Sequence, residues 1–270
     1  MALHSKHTQD VAKRGFGPDH IKWLAHRNGK PPVLESLSIE EIQQDWLDRF
    51  PAMKGNAGTA LKLQFNDSTI SLRPDQPVWD EEKQSFSKYL YAIRTEGSKE
   101  GDNTQPWIPT KPPGIATEGL FDALACTALI GIPCAAATAP SHIRNSRFPS
   151  SVKVYASDAD VPFHHSPSLL PVVVEQCREK GLKLAHLPRN SKADYAYEGA
   201  RIPEDCKWGM EEWAREWSAQ GLDGQAEMQK VIDAALGPVD YLRDSACYIW
   251  QRKLGPHLVP PVEDRSMVQA

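Results

Sequence analysis

The sequence predicts an α/β fold built on a parallel four-stranded sheet flanked by helices, and three observations lead to it. From residue 114 onward, short apolar runs alternate with helical patterns, the order typical of parallel strands joined by helices. Two of those helical patterns are followed by glycines, Gly131 and Gly181, as helices commonly are. The first half has a different pattern, with helical stretches followed by short alternating runs. We therefore expect a small α+β N-terminal subdomain before the sheet and further helices after it.

The composition is that of a globular protein, with 40% hydrophobic and 24% charged residues in a chain of 270. No apolar run approaches the ~20 residues of a membrane span, and the N-terminus lacks the apolar centre of a secretory signal. The five cysteines are scattered, with no CxxC pair, which excludes a zinc ribbon and favours reduced thiols. We therefore expect a cytoplasmic protein with no membrane partner.

The N-terminal half is predicted element by element from its periodicity. Residues 8–50 have apolar residues at helical steps, with Ser38 as an N-cap candidate. Three runs in 59–94, "ALKLQF", "STISLRP" and "SKYLYAIR", alternate like strands, with turns near Asn66 and in 74–77. The polar, Gly/Pro-rich segment 95–113 is the candidate boundary.

In the second half, four apolar runs are predicted strands: "PGIAT", "IPCAAAT", "VKVYAS" and "LKLAHLP". Four helices are predicted in "GLFDALACTALIG", "PSLLPVVVEQCREKG", "KWGMEEWAREWSAQG" and "DGQAEMQKVIDAALG". The predicted domains are a helical region (1–58), a strand-rich basic subdomain with a linker (59–112), the α/β domain (113–206), and C-terminal helices with a tail (207–270).

Acidic side chains follow two of the predicted strands. Glu118 stands at the end of the first, and Asp122 lies one helical turn further on. Asp158 and Asp160 follow the third strand, and residues two apart in an extended chain point the same way. Because functional residues of parallel α/β sheets collect beyond the carboxyl ends of the strands, we expect all four carboxylates at one site.

Four carboxylates at one place repel each other unless a cation neutralises them. Hard oxygen ligands favour Mg²⁺ or Mn²⁺, and Mg²⁺ usually takes one or two carboxylates while leaving positions for a substrate phosphate. The pattern therefore predicts metal-assisted phosphoryl transfer. Arg144 and Arg147, between the second and third strands, are candidate phosphate contacts, and solvated surface charge is the alternative interpretation.

The stretch "ATEGLFDALACTALIGIPCAAATAPSHI", followed by "VKVYASDAD", resembles the Toprim domain shared by DnaG-type primases, topoisomerases and some nucleases. The Toprim signature is an apolar strand, Glu-Gly-x-x-Asp, and a later strand that ends in Asp-x-Asp. DnaG-type primases are the most similar branch, since Lys88, Tyr89 and Leu90 match their Lys-Tyr-Leu stretch and residues 137–142 match a Thr/Ala-rich loop with a nearby His. Primase-like Toprim proteins of phages and plasmids are similar too.

The resemblance implies roles for particular residues. Glu118 would act beside the catalytic centre as metal ligand or acid/base, Asp158 and Asp160 would hold the metal, and Asp122 would support them. Two basic residues, Lys88 and Arg73, would contact template or nucleotide phosphates. A last acidic position of the family matches either Asp194 or the pair Glu211 and Glu212, and the sequence leaves that choice open.

The function implied by the resemblance is primer synthesis. Such an enzyme would use nucleoside triphosphates to make RNA primers on single-stranded DNA in phage or plasmid replication, with Mg²⁺ or Mn²⁺ and with a replicative helicase as a further candidate partner. A Toprim nuclease and a non-catalytic replication-initiation protein are the alternatives. The Lys-Tyr-Leu stretch and the strand-rich segment favour the primase over the nuclease, and the complete acidic set argues against a non-catalytic protein.

Overall fold

The computed structural model describes residues 3–26, 32–38, 59–80, 85–87, 89–91, 104–158, 161, 169–188 and 208–254. Its helices are α1 (Ser5–Lys13), α2 (Pro18–Ala25), α3 (Leu120–Ala125), α4 (Leu169–Lys180), α5 (Met210–Ala219), α6 (Gly224–Asp233) and α7 (Pro238–Leu254). Its strands are β1 (Leu34–Ser38), β2 (Thr59–Gln64), β3 (Ile70–Pro74), β4 (Val78–Asp80), β5 (Ser85–Ser87), β6 (Leu90–Tyr91), β7 (Ile115–Glu118), β8 (Cys134–Ala137), β9 (Val154–Ser157) and β10 (Lys183–His186).

The N-terminal part contains an antiparallel sheet with the strand order β1-β2-β3-β6. The turn between β2 and β3 forms because the Asn66 side chain accepts hydrogen bonds from the backbone N–H groups of Ser68 and Thr69, both at 2.9 Å. Strands β4 and β5 form a separate two-stranded hairpin. The first two strands predicted in 59–94 and the helix predicted around residues 18–25 are confirmed. The third predicted run, 87–94, is a strand at Leu90–Tyr91, and residues 92–94 lie outside the described residues.

One part of the helical prediction for residues 8–50 is wrong. Leu34–Ser38 is the edge strand β1, in which Ser38 pairs with Thr59, so the chain is extended where the helical prediction covers it. The apolar residues of "LESLS", Leu34 and Leu37, stand three apart, a spacing that favours a helix. The strand forms instead by pairing with β2, where Leu34 lies opposite Leu63 and is buried. The remainder of the second predicted helix, 39–50, lies outside the described residues.

The C-terminal half contains the predicted parallel sheet, with the strand order β10-β9-β7-β8. β7 and β9 occupy the two central positions, and each of the four strands matches a predicted run. Their residues are almost entirely buried, as expected when helices cover both faces of a parallel sheet. The helix after β7 continues through a π-helical turn, Cys126–Ile130, and ends at Gly131, whose φ of 89° is left-handed.

Both edges of this parallel sheet are covered by short antiparallel contacts. Trp107 exchanges two backbone hydrogen bonds with Ala136 of β8, at 3.0 and 2.9 Å, and its side chain is buried. On the opposite edge, Leu236 exchanges two with Leu184 of β10, at 2.8 and 2.9 Å. The sheet therefore presents little free edge for pairing with another chain.

The C-terminal helices pack against the sheet and against each other. Helix α5 contacts α3, and α7 lies against α4 and β10. Tyr241 of α7 is buried, stacks on His186 at 4.0 Å between ring centroids, and makes a 3.1 Å hydrogen bond with Ser157 at the end of β9. In the part of the chain that the structure describes, no helix combines the length and apolar character needed to cross a membrane.

Candidate active site

The two central strands of the parallel sheet bring Glu118 and Asp158 to the same edge. Thr117 and Ala156 lie opposite each other in β7 and β9, so Glu118, which ends β7, and Asp158, which follows β9, emerge side by side. One oxygen of each carboxylate, Oε2 of Glu118 and Oδ1 of Asp158, is buried. Burial raises the pKa of Tyr155 well above its ordinary value, and both carboxylates add to that effect.

Asp122 reaches the same edge through a sharp turn at Gly119. The φ of Gly119 is 84°, a conformation that favours glycine, and its N–H donates to the carbonyl of Ala137 at 3.0 Å. This hydrogen bond ties the start of α3 to the end of β8. Asp122 therefore lies beside the strand ends, one helical turn after Glu118.

Gly209 is the point at which Asp122 and Asp158 come together. A Cβ atom added at residue 209 would lie 2.6 Å from Asp122 Oδ1 and 2.7 Å from Asp158 Oδ1. The backbone N–H of Glu211, two residues later, donates to Asp122 Oδ1 at 3.0 Å. The start of α5 thus closes over the acidic edge, with no room for a side chain at the point of contact.

The arrangement places more negative charge around Asp122 than its neighbours neutralise. Burial raises the pKa of Asp122 to about 7, and the hydrogen bond from the Glu211 N–H lowers it less than burial raises it. The carboxylates of Glu211 and Glu212 raise the pKa further, and Arg14 opposes them. A site of this kind gains stability from a bound cation.

Glu211 and Glu212 lie beside the acidic edge, but their carboxylates have other partners. Glu211 pairs with Arg14. Glu212 accepts a hydrogen bond from the Gly209 N–H at 2.9 Å, and it also lies 3.7 Å from Arg215. The other sequence candidate for this position, Asp194, lies outside the described residues.

Basic and aromatic side chains of the N-terminal part face the same edge. Tyr89, just before β6, is within electrostatic reach of Arg14 and Arg73 and of the acids Asp122 and Glu211. Burial raises the pKa of its phenol, and the two arginines oppose the rise. Arg73 forms an ion pair with Asp10 of α1. Two further residues predicted for this site, Lys88 and Asp160, lie outside the described residues.

The structure does not bring Arg144 to the acidic edge. Its guanidinium makes a two-pronged ion pair with Glu179, at 2.6 and 2.9 Å. Glu179 is in the last turn of α4, which leads into β10 and so lies at the amino edge of the sheet. The backbone N–H of Arg147, in the same loop, donates to Gln105 at 3.2 Å. Phosphate contact by these two arginines stays a prediction.

A divalent cation fits the donor set at the carboxyl edge. Mg²⁺ is usually held by one or two carboxylates, and Asp158 and Glu118 supply hard oxygens with buried atoms at adjacent strand ends. Burial is the main cause of the raised pKa of Asp122, and the carboxylates of Glu211 and Glu212 add to it. Among the residues placed by the structure, no three candidate ligand side chains meet at one point, and Asp160 is not one of those residues.

Two residues of this region, Gly209 and Arg14, are not predicted from the sequence. Gly209 belongs to "KWGMEEW", where the acids indicate a site and the glycine carries no signal of its contact with other acids. Arg14 is nearly 200 positions away from Glu211, and a single basic residue at a helix end carries no signal of a distant partner. The periodic pattern of α1 predicts only the helix itself.

The combination of this parallel sheet, its acidic carboxyl edge and the antiparallel sheet beside it defines the fold as similar to a primase catalytic core. Three solved structures carry that similarity, each at 14% sequence identity. The first is the Aquifex aeolicus primase with its zinc-binding and RNA polymerase domains, with a TM-score of 0.51 over 86% of this chain. The chain spans 56% of the length of that protein.

The other two are structures of the catalytic part of DnaG. The DnaG catalytic core matches with a TM-score of 0.50, over 91% of this chain and 77% of that one. The DnaG primase catalytic domain bound to single-stranded DNA matches with a TM-score of 0.51, over 89% and 75%. No protein-family model and no curated protein sequence matches the chain. The likeness is therefore one of fold.

Proposed function

We propose that this protein is a Toprim-fold, metal-dependent, primase-like nucleotidyltransferase that synthesises RNA primers on single-stranded DNA from nucleoside triphosphates, in phage or plasmid replication. The observation that carries the proposal is the meeting of Asp122 and Asp158 at Gly209, beside Glu118, at the carboxyl edge of a parallel sheet. Carboxylates gathered at such an edge suit a reaction in which a cation orients a phosphate.

In this proposal Asp158 and Glu118 hold Mg²⁺ or Mn²⁺, with Asp160 as a third ligand. When bound, the cation supplies charge stabilisation for the transferring phosphoryl group. Asp122 stays close to that pair but is tied to the N–H of Glu211, so we assign it a supporting part. The ligand set is an expectation from the Toprim resemblance, supported by the neighbouring strand ends.

The side chains on the opposite wall bind the nucleic acid. Tyr89 lies within electrostatic reach of Asp122, Glu211 and Arg73, and Arg73 belongs to β3 of the antiparallel sheet. Lys88 precedes Tyr89 in the sequence and is assigned the same task from the Toprim resemblance. Arginine and lysine contact phosphates, and an aromatic ring such as that of Tyr89 offers a surface on which a base stacks. A structural neighbour was solved bound to single-stranded DNA, which supports DNA of this kind as the template.

The proposal is tested by incubating the protein with single-stranded DNA, labelled ribonucleoside triphosphates and Mn²⁺ or Mg²⁺. We expect new oligoribonucleotides from the wild type, and a loss of at least about 100-fold in Asp158→Asn and Glu118→Gln. Exposed Asp67, in the β2–β3 turn, offers a matched control in Asp67→Asn.

The same reaction distinguishes the alternatives. Shortening of end-labelled DNA without new oligonucleotides would replace the primase by a nuclease. Absence of both products, with DNA binding equal in the wild type and the two variants, would point to a non-catalytic replication protein.

A further inference from the structure

A partly buried ion pair joins the N-terminal helix to the acidic edge. Arg14, the residue after α1, pairs with Glu211 of α5, whose side chain is only 7% exposed. The guanidinium of Arg14 also lies over the ring of Phe121, with 4.1 Å between its central carbon and the ring centroid. An arginine held in this way is positioned on two sides, by charge and by cation–π contact.

We propose that Arg14 and Glu211 are positioning residues, whose ion pair holds the start of α5 against Asp122 and Asp158, and that Glu211 is not a metal ligand. The inference rests on the proposed function, because it assigns the acids at the site to two different tasks. It gives residues 1–26 a defined part in the site.

The first support is that the backbone and the side chain of Glu211 have different partners. Its backbone N–H donates to Asp122 Oδ1 at 3.0 Å, while its carboxylate pairs with Arg14. If Arg14 were absent, the buried carboxylate close to Asp122 would keep only the longer ion pair with Arg215, at 3.9 Å, and like-charge repulsion would push the start of α5 away. Because Gly209 in that segment touches both Asp122 and Asp158, the displacement would reach the site itself.

The second support is a further contact between the same two elements. Arg215 of α5 donates to the carbonyl of Lys13 at 3.2 Å. A Cβ atom at Gly15 would lie 3.0 Å from Cγ of Arg215, so the turn after α1 packs directly on α5. The end of α1 and the start of α5 therefore form one unit, with Arg14 at its centre.

A different role for Arg14, direct contact with a substrate phosphate, gives a different result in a double variant. If the pair acts by positioning, Arg14→Met leaves the buried Glu211 carboxylate with only the distant Arg215, and adding Glu211→Gln removes most of that penalty. If Arg14 binds phosphate, the second substitution restores nothing. Glu211→Gln alone separates positioning from metal ligation.

We expect Arg14→Met to lower kcat for primer synthesis by about 30-fold or more, with KM for nucleoside triphosphate changed by less than about threefold. The double variant Arg14→Met/Glu211→Gln should recover at least about tenfold of that loss, since the buried side chain at 211 is then neutral. If Arg14→Met does not fold, Arg14→Lys takes its place in both the single and the double variant, because it keeps the charge but loses the two-sided fit of the guanidinium. Exposed Arg178, paired with Glu175 on the surface of α4, gives the control Arg178→Met.

Mn²⁺ binding, followed by electron paramagnetic resonance, is the second measurement. Glu211→Gln should bind Mn²⁺ within about threefold of the wild type, whereas Asp158→Asn should not. Loss of Mn²⁺ binding in Glu211→Gln would overturn the inference. It would also be overturned if Arg14→Met raised KM for nucleoside triphosphate and the double variant were no more active than Arg14→Met.

If the wild type makes no primers, the proposed function fails and this inference is decided by thermal unfolding. If the decrease in Tm is smaller in the double variant than in Arg14→Met alone, the ion pair is what holds α5 in place. Additive losses overturn it.

Discussion

At the scale of single residues, the site depends on a glycine, Gly209, as much as on its acids. Gly209 has a φ of −94°, which any residue can adopt, so its backbone does not require glycine. What requires glycine is space, since the two carboxylates occupy the position of a Cβ. Glu118 and Asp158 could be predicted because strand ends are local in sequence. The contact at Gly209 could not, because it forms only when α5 packs on the sheet.

Gly209→Ala should therefore lower activity by on the order of 100-fold while leaving a folded protein. The added methyl group would push Asp122 and Asp158 apart, and displacement of catalytic groups by about 1 Å typically costs on the order of 100-fold in rate. The measurement is primer synthesis together with the Tm. Gly114→Ala is the matched control, because a Cβ there meets nothing within 4 Å. Full activity in Gly209→Ala would contradict the described packing.

Asp122 should make the metal-free protein less stable as the pH rises. Its pKa is about 7 in the folded protein, against 3.8 for an ordinary aspartate, so the folded state binds the extra proton between these values. Stability therefore falls from about pH 4 to about pH 7 and changes little from this cause above that. Asp122→Asn removes the charge and should raise stability at pH 8 by on the order of 2 kcal/mol, and much less at pH 5.

The comparison is made by denaturant unfolding in EDTA at the two pH values. The asparagine side chain in Asp122→Asn would keep an oxygen able to accept the N–H of Glu211, so the fold is preserved. Exposed Asp67→Asn should show no pH-dependent gain. An equal effect of Asp122→Asn at pH 5 and pH 8 would contradict the raised pKa.

At the scale of elements, the parallel strands were predictable and the edge strand β1 was not. The four parallel strands are apolar runs bounded by turn residues, which is a local signal. β1 is half-exposed and five residues long, and it is held by its register with β2, from Leu34 opposite Leu63 to Ser38 opposite Thr59. Its conformation comes from that pairing, and pairing across the chain is not visible in periodicity.

Helix α7 should be anchored by Tyr241. The ring is 1% exposed and its hydroxyl bonds to Ser157, next to Asp158. Tyr241→Phe should cost about 1 kcal/mol of unfolding free energy, the usual value of one hydrogen bond, and Tyr241→Ala about 3–5 kcal/mol for the lost ring. Exposed Leu242→Ala, the next residue, should cost about 0.5 kcal/mol or less. Equal costs for Tyr241→Ala and Leu242→Ala in denaturant unfolding would contradict this anchor.

At the scale of the whole molecule, the acidic edge belongs to the parallel sheet, and residues of the N-terminal part lie beside it. The α/β class, the four-stranded sheet and the C-terminal helices followed from patterns in the sequence. How the N-terminal helix, the antiparallel sheet and α5 meet around Asp122 did not, because it depends on contacts such as Arg14 with Glu211 between distant parts of the chain. The net charge of −4 gives no sign of this arrangement. The arginines near the site form ion pairs with acids, so their charges cancel in the total.

The central claim is that the strand ends at Glu118 and Asp158 form one divalent-cation site, and Mn²⁺ binding tests it most directly. Titration of the metal-free protein with Mn²⁺, followed by electron paramagnetic resonance, should show binding that weakens by about 10-fold or more in Asp158→Asn and in Glu118→Gln, and that is unchanged in Asp67→Asn. Mn²⁺ binding of equal strength in the wild type and Asp158→Asn would contradict the claim.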